Sequence, residues 1–143
     1  MMIEDVFSYF GTLGKSWDAE PYRFDLNAFR ALMADLGNPH RNLRCVHVAG
    51  TNGKGSVSWM LAESLRQSGY RTGLYTSPHL LHFTERIRIN GEPLPESEWR
   101  QVVESRRTIF EAHRPSVFES VTAVAFALFA EKSVDVAVLE TGL

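Results

Sequence analysis

HVAGTNGKGS, residues 47–56, decides how the rest of the chain is read. It continues the apolar run LRCV (residues 43–46) and leads into residues 54–67, whose pattern is helical. A strand, a glycine-rich turn and a helix in that order form the context in which a chain cradles phosphate. The first N–H groups of a helix have no intrahelical acceptor, and together they favour an anion. Gly50, Gly53 and Gly55 let that anion approach the main chain without meeting a Cβ. Lys54 adds a mobile positive charge for the outer phosphates of a nucleoside triphosphate. The competing reading is a glycine-rich turn chosen for tight helix–sheet packing, which leaves Lys54 unexplained.

The stretch departs from the usual phosphate-loop pattern, G-x-x-x-x-G-K-[ST], at two places. Val48 stands where the first glycine belongs. Gly55 stands where the magnesium-binding hydroxyl belongs, with Ser56 one place late. Another oxygen must then serve the cation. Mg²⁺ takes hard oxygens, often one or two protein groups with phosphates and waters. Two more strand ends supply candidates. RTGLYTS (residues 71–77) ends at Ser77, and DVAVLE (residues 135–140) ends at Glu140. An acid closing a buried strand resembles the Walker-B placement. The alternatives are a turn residue before Pro78 for Ser77, and a strand that has simply surfaced for Glu140.

The remaining pattern fills in a fold. Residues 3–10 read as a short helix and residues 11–21 as a loop. Asp25 is positioned to N-cap a helix carrying Leu26, Phe29, Met33 and Leu36, which stops at Gly37 and Pro39. LRCVHVAG reads as a buried strand ending near Ala49. Gly69 sits at the C′ position of the helix over 54–67. ERIRINGEPL (residues 85–94) alternates, and Asn90-Gly91 marks a hairpin turn. Pro95, Glu96 and Glu98 open a helix whose inward stripe is Trp99, Val102, Val103, Arg106, Ile109 and Phe110, with Arg106 the exception. A further helix covers roughly 119–132. Strands alternating with helices give an α/β fold: a P-loop-type, mainly parallel sheet with helices on both faces. Ligands of such sheets bind at the carboxyl ends of the strands.

Composition excludes several function classes. The chain has 143 residues, 44% of them hydrophobic and 22% charged, which suits an ordinary globular domain. A formal net charge of −2 argues against a nucleic-acid partner. Cys45 is the single cysteine, so no intramolecular disulfide forms and a reduced, cytoplasmic setting fits. MMIEDVFSYF lacks a basic n-region, and VTAVAFALFA (residues 121–130) is too short to span a bilayer. No membrane partner is expected. The five histidines lack a third ligand at metal spacing. Arg86 and Arg88 read as a solvated hairpin face or as contacts to an anionic substrate.

HVAGTNGKGS, YTSPHLLHFTERIRING (residues 75–91), FESVTAVAFALFA (residues 118–130) and DVAVLETGL (residues 135–143) together resemble the folylpolyglutamate synthase/dihydrofolate synthase family of the Mur-ligase superfamily. The short GTNGKGS loop and the glycine after its lysine are normal for that family. The resemblance spans about residues 22–143. It implies an ATP-dependent ligase that phosphorylates a carboxylate of dihydropteroate or a folate, then lets the amine of L-glutamate displace phosphate. It implies that Thr51, Asn52, Gly53, Lys54, Gly55 and Ser56 hold the ATP phosphates. Lys54 and Glu140 then carry the catalytic charge, and Ser77 and Glu140 hold Mg²⁺. Ser116, Val117, Phe118 and Glu119 match a segment lining the pterin site. Tyr22, Arg23 and Phe24 match an N-terminal loop that meets the pterin. Pro78 and His79 belong to the loop after Ser77.

The family continues beyond a glutamate–glycine–leucine run into further ligands and a C-terminal domain. The expectation is therefore that residues 1–143 form the N-terminal part of an incomplete Mur-ligase-like ATPase domain. Such a piece is expected to be monomeric and inactive alone. Two other functions are weighed: a sister ligase acting on a nucleotide-linked muramyl chain, and a nucleotide-binding switch without ligation. TSPHL and ERIRING favour the folate reading, and no guanine-reading motif supports a switch.

Overall fold

The computed structural model describes residues 2–14 and 26–142. Tyr22, Arg23, Phe24 and the expected cap Asp25 lie outside the described residues. In chain order the elements are α1 (Val6–Leu13), α2 (Asn27–Asp35), β1 (Cys45–Val48), α3 (Lys54–Gln67), β2 (Thr72–Tyr75), β3 (Ile87–Ile89), β4 (Glu92–Pro93), α4 (Glu96–Ser105), α5 (Arg107–His113), α6 (Val117–Glu131) and β5 (Val136–Glu140). Short 3-10 turns span Pro39–Asn42 and Phe83–Arg86. The chain divides into a helical unit, up to Pro39 with Glu96–Ala127, and a sheet unit, His40–Pro95 with the residues from Leu128 onward.

The sheet unit carries the strand order β1-β5-β2-β3-β4. β5 runs parallel to both β1 and β2. β3 is antiparallel to β2, and β4 to β3. The continuous apolar run of β5 is the middle strand of the three parallel ones, where Ala137 and Val138 are fully buried. Leu74 of β2 and Val138 pack on Ala62 of α3, with Val48, Leu61 and Leu65 against them. Side chains alternate along a strand, so Gly73 faces the opposite side from Leu74. There its position lies against the Phe129 ring at the end of α6: a Cβ added to Gly73 would sit 2.7 Å from that ring. α3 thus covers one face of the parallel core, and Phe129 meets the other at Gly73.

Two readings need correction here. β1 is not a buried strand. Among the described residues it has only β5 beside it, and Cys45, Val46 and His47 are exposed. Its composition suits a core, but a core needs a neighbour on each side. Beside it, Val57 and Met60 of α3 are also exposed. The helix expected over 96–110 is two helices. The Ser105 hydroxyl (3.0 Å) and the Arg106 guanidinium (3.4 Å) both donate to the Val102 carbonyl, which a continuous helix would give to the Arg106 N–H. That N–H turns instead to Val103 O, three residues back, and Arg106 leaves helical geometry at φ −122°, ψ 19°.

The hairpin turn is as read. Asn90 and Gly91 take φ 50° and 85°, the left-handed pair that a two-residue turn of this twist requires. Asn90 also exchanges bonds with Thr72: its N–H reaches Thr72 O, and its Oδ1 accepts the Thr72 N–H, each at 2.9 Å. Arg88 does not project freely into water. Its guanidinium lies 4.8 Å from the centre of the Trp59 ring on α3.

In the helical unit Asp5 caps α1, accepting from the N–H groups of Phe7 and Ser8. The helix begins at Val6 rather than residue 3 because that cap fixes its first turn. Phe10 and Phe110 meet with ring centres 6.1 Å apart, among the fully buried Trp99, Val103, Val121 and Val124. Glu104 anchors the Ile3 N–H at 2.8 Å, and His113 bonds Asp35 at 2.6 Å. Leu26, expected in the stripe of α2, is exposed, whereas Met33 is buried.

Gly73→Ala should destabilise the sheet unit by about 1–3 kcal/mol, the usual cost of forcing extra atoms into a packed core. The denaturant midpoint checks this. An unchanged midpoint would mean that the Phe129 ring yields without cost.

Candidate functional site

Register brings three strand ends together. Val48 of β1 lies opposite Glu140 of β5, and Leu139 opposite Tyr75 of β2. The Thr141 N–H adds one more bond to Val48 O at 2.9 Å. The loop 49–53, Ser77 and Glu140 therefore leave the sheet from one edge, as the parallel topology dictates.

The loop has the form its glycines suggested. Gly53 occupies the cap position of α3 at φ 78°, a conformation costly for any side chain. The first helical bond runs from Val57 N–H to Gly53 O at 3.0 Å. The amides of Lys54, Gly55 and Ser56 thus precede the helical ladder and form its electropositive end. Lys54 folds back over this turn, and its Nζ donates to Gly50 O at 2.8 Å. The cation is parked on the loop that it is expected to serve. Thr51, Asn52 and Ser56 are exposed.

Glu140 meets both of its expected neighbours. Its Oε2 accepts the Ser77 N–H at 3.3 Å. A Cβ added to Gly55 would lie 3.8 Å from its Oε1 and 3.9 Å from its Oε2. Glycine there keeps side-chain atoms away from the carboxylate. Among the described residues no group of three or more His, Cys, Asp or Glu is arranged to hold a metal. Mg²⁺ accompanying phosphates does not need one. A carboxylate and a hydroxyl, with phosphate oxygens and water, meet its octahedral demand. The chemistry of Glu140, Ser77 and the bare Gly55 position fits that ion.

The loop after Ser77 holds the expected Pro78 and His79 together with a residue that the pattern did not flag, Glu85. Pro78, joined to Ser77 by a cis bond, is exposed, and His79 is half-buried. Arg86 Nε donates to His79 Nδ1 at 2.9 Å. Burial first, and then the Arg86 guanidinium, hold His79 below the usual imidazole range. Glu85 accepts three successive backbone N–H groups, from Leu80, Leu81 and His82. The available signal was the H-x-x-E spacing of His82 and Glu85, a capping-box pattern.

Ser116, Val117, Phe118 and Glu119 stand in the helical unit, at the start of α6. Ser116 Oγ accepts the Glu119 N–H, and Glu119 Oε2 accepts the Ser116 N–H. The two polar members thus cap the helix reciprocally, while Val117 and Phe118 are half-buried.

No protein-family model matches the chain. Over 125 residues it is 42% identical to the dihydrofolate synthase/folylpolyglutamate synthase of Bacillus subtilis, across 82% of this chain and 29% of that protein. It is 40% identical over 119 residues to the folylpolyglutamate synthase of Lacticaseibacillus casei, across 78% and 28%. The crystal structure of folylpolyglutamate synthase from Thermotoga maritima shares its fold at a TM-score of 0.81 and 46% identity, covering 85% of this chain and 30% of that one. E. coli FolC in complex with DHPP and ADP matches at 0.78 and 34%, covering 95% and 33%. The chain thus spans about a third or less of the length of the relatives it matches. Likeness in sequence and in fold, each extending over most of these residues, leads to one conclusion: the chain belongs to the folylpolyglutamate synthase/dihydrofolate synthase family.

Proposed function

We propose that the whole protein is an ATP-dependent ligase that joins L-glutamate to dihydropteroate or to a folate through an acyl phosphate. The observation that carries this reading is the meeting of Glu140, Ser77 and Gly55 at the electropositive end of α3. The matched FolC structure is a complex with ADP, which supports an adenine nucleotide as a ligand.

The chemistry asks little covalent work of the protein. A substrate carboxylate oxygen attacks the γ-phosphorus, and the bond from that phosphorus to the β,γ-bridging oxygen breaks, releasing ADP. The glutamate amine then attacks the acyl carbon, phosphate departs with the C–O electron pair, and the nitrogen loses a proton. What remains for the chain is positioning and charge. The amides of Thr51, Asn52, Gly53, Lys54, Gly55 and Ser56 cradle the phosphates. Lys54 exchanges the Gly50 carbonyl for a phosphate oxygen. Ser77 and Glu140 hold Mg²⁺, which neutralises phosphate charge when bound. Pro78 and His79, beside Ser77 in the chain, serve the acceptor substrate. Val117 and Phe118 supply an apolar contact to its ring system, their segment fixed by the Ser116–Glu119 cap. Tyr22, Arg23 and Phe24, matched to the family's N-terminal loop by resemblance alone, are assigned to the same ring system. We further propose that the protein works as a cytoplasmic monomer without nucleic-acid partners. Among the described residues no helix is long and apolar enough to cross a membrane.

In the whole protein, Lys54→Ala should lower ATP-dependent ligation roughly 10²–10³-fold, as loss of one well-placed charge donor does. Steady-state phosphate release in the presence of a folate and glutamate measures it. Release indifferent to both substrates would point instead to an ATPase without ligase chemistry. Gly55→Ala and Glu140→Gln should each raise the Mg²⁺ concentration needed for half-maximal rate. A wild-type metal profile in both would remove Glu140 from the metal site. Residues 1–143 alone should form no glutamyl amide, and turnover by this piece would overturn the assignment of essential groups elsewhere.

A further inference from the structure

The segment from Ser77 to Arg86 is tied down at three levels. Glu140 holds its start through the Ser77 amide. Arg86 holds its middle through His79 Nδ1. Glu85 gathers the amides of Leu80 (3.0 Å), Leu81 (2.9 Å) and His82 (2.7 Å). Apolar burial anchors only its far end, at Phe83, and does not order the stretch before it. Leu80 and Leu81 are 90% and 93% exposed, so their side chains contribute almost no packing. The backbone is shaped by a carboxylate instead. Those same three amide bonds hold the Glu85 carboxyl down at about 2, so it stays an ionised acceptor across the physiological range.

A helix cap explains only part of this. Capping the 3-10 turn at Phe83–Arg86 needs the bond to His82 N–H alone. The bonds to Leu80 and Leu81 reach beyond the cap, back toward Ser77. We propose that Glu85 is a positioning residue for the ligase reaction, fixing the loop that presents Ser77 and His79 to bound nucleotide and substrate. The inference rests on the reading of Ser77 as a metal ligand. Its geometry requires a carboxylate. Two oxygens that only accept can serve three converging donors, whereas a glutamine turns an NH₂ group toward some of them. Arg86 complements this from the next position. By donating to Nδ1 it leaves the proton of a neutral His79 imidazole on Nε2.

The test compares Glu85→Gln and Glu85→Ala with wild type in the whole protein, using a non-hydrolysable ATP analogue and Mg²⁺. Hydrogen exchange at Leu80, Leu81 and His82 should quicken in both variants, more in the alanine one. The Mg²⁺ concentration for half-maximal analogue binding should rise roughly tenfold, the usual scale for groups that orient metal ligands. Affinity at saturating Mg²⁺ should stay within about twofold, because the loop 50–56 is untouched. kcat should fall about as far as metal affinity, with the nucleotide KM unchanged. Faster exchange with an unaltered Mg²⁺ profile and kcat would show a cap and nothing more, and would overturn the proposal. Unaltered exchange would overturn it too. If Glu85→Ala fails to fold, Glu85→Gln decides by the same readings. Should wild type bind the analogue with Mg²⁺ yet form no glutamyl amide, the ligase reading fails, while the Mg²⁺ comparison still judges Glu85.

Discussion

One contact ties the candidate site to the fold: the Ser77 amide donating to the Glu140 carboxylate. It joins the ends of two neighbouring parallel strands. It exists only because β2 and β5 pair in the register that sets Tyr75 beside Leu139. A slip of one residue would turn Glu140 to the other face of the sheet. The core reinforces that register. Leu74 and Val138 must both face Ala62, and Gly73 must face the Phe129 ring. The packing that stabilises the sheet therefore also aims Glu140, the acid proposed to hold the metal.

Gly55 shows a second layer of the same economy. Conventional phosphate loops place a hydroxyl directly after the lysine. Here that place is empty of side chain, and the carboxylate from β5 faces it at close to van der Waals range of any added carbon. The oxygen missing from the loop returns from two strand ends. The loop's sequence and the sheet's topology are two halves of one arrangement, and neither is interpretable without the other.

Much of this was legible in the residues. The limits of α3, the tight Asn90-Gly91 turn, the parallel β5 and the meeting of Ser77 with Glu140 at one edge all follow from local chemistry: caps, left-handed turn residues, a continuous apolar run, strand ends on a shared edge. What escaped depends on neighbours that local pattern does not reveal. LRCVHV has a core composition, yet among the described residues β1 pairs with β5 alone, because strand order is set by tertiary pairing that local pattern does not carry. The break at Arg106 arises from two side-chain donors competing for one carbonyl, which periodicity cannot register. Arg88 lies over Trp59, a partner 29 residues earlier that local pattern does not reveal. Glu85 was hidden inside an alternating strand motif, although its carboxylate serves the loop before it.

The position of β1 at the border has a thermodynamic corollary. The phosphate loop grows directly from its last residue, so whatever stiffens β1 also stiffens the root of that loop. Another strand laid along its outer side would lower the entropy lost when a nucleotide orders the turn. Linkage is reciprocal. Nucleotide binding would then strengthen the lateral association by the same factor, making occupancy of the turn and completion of the sheet two readings of a single equilibrium.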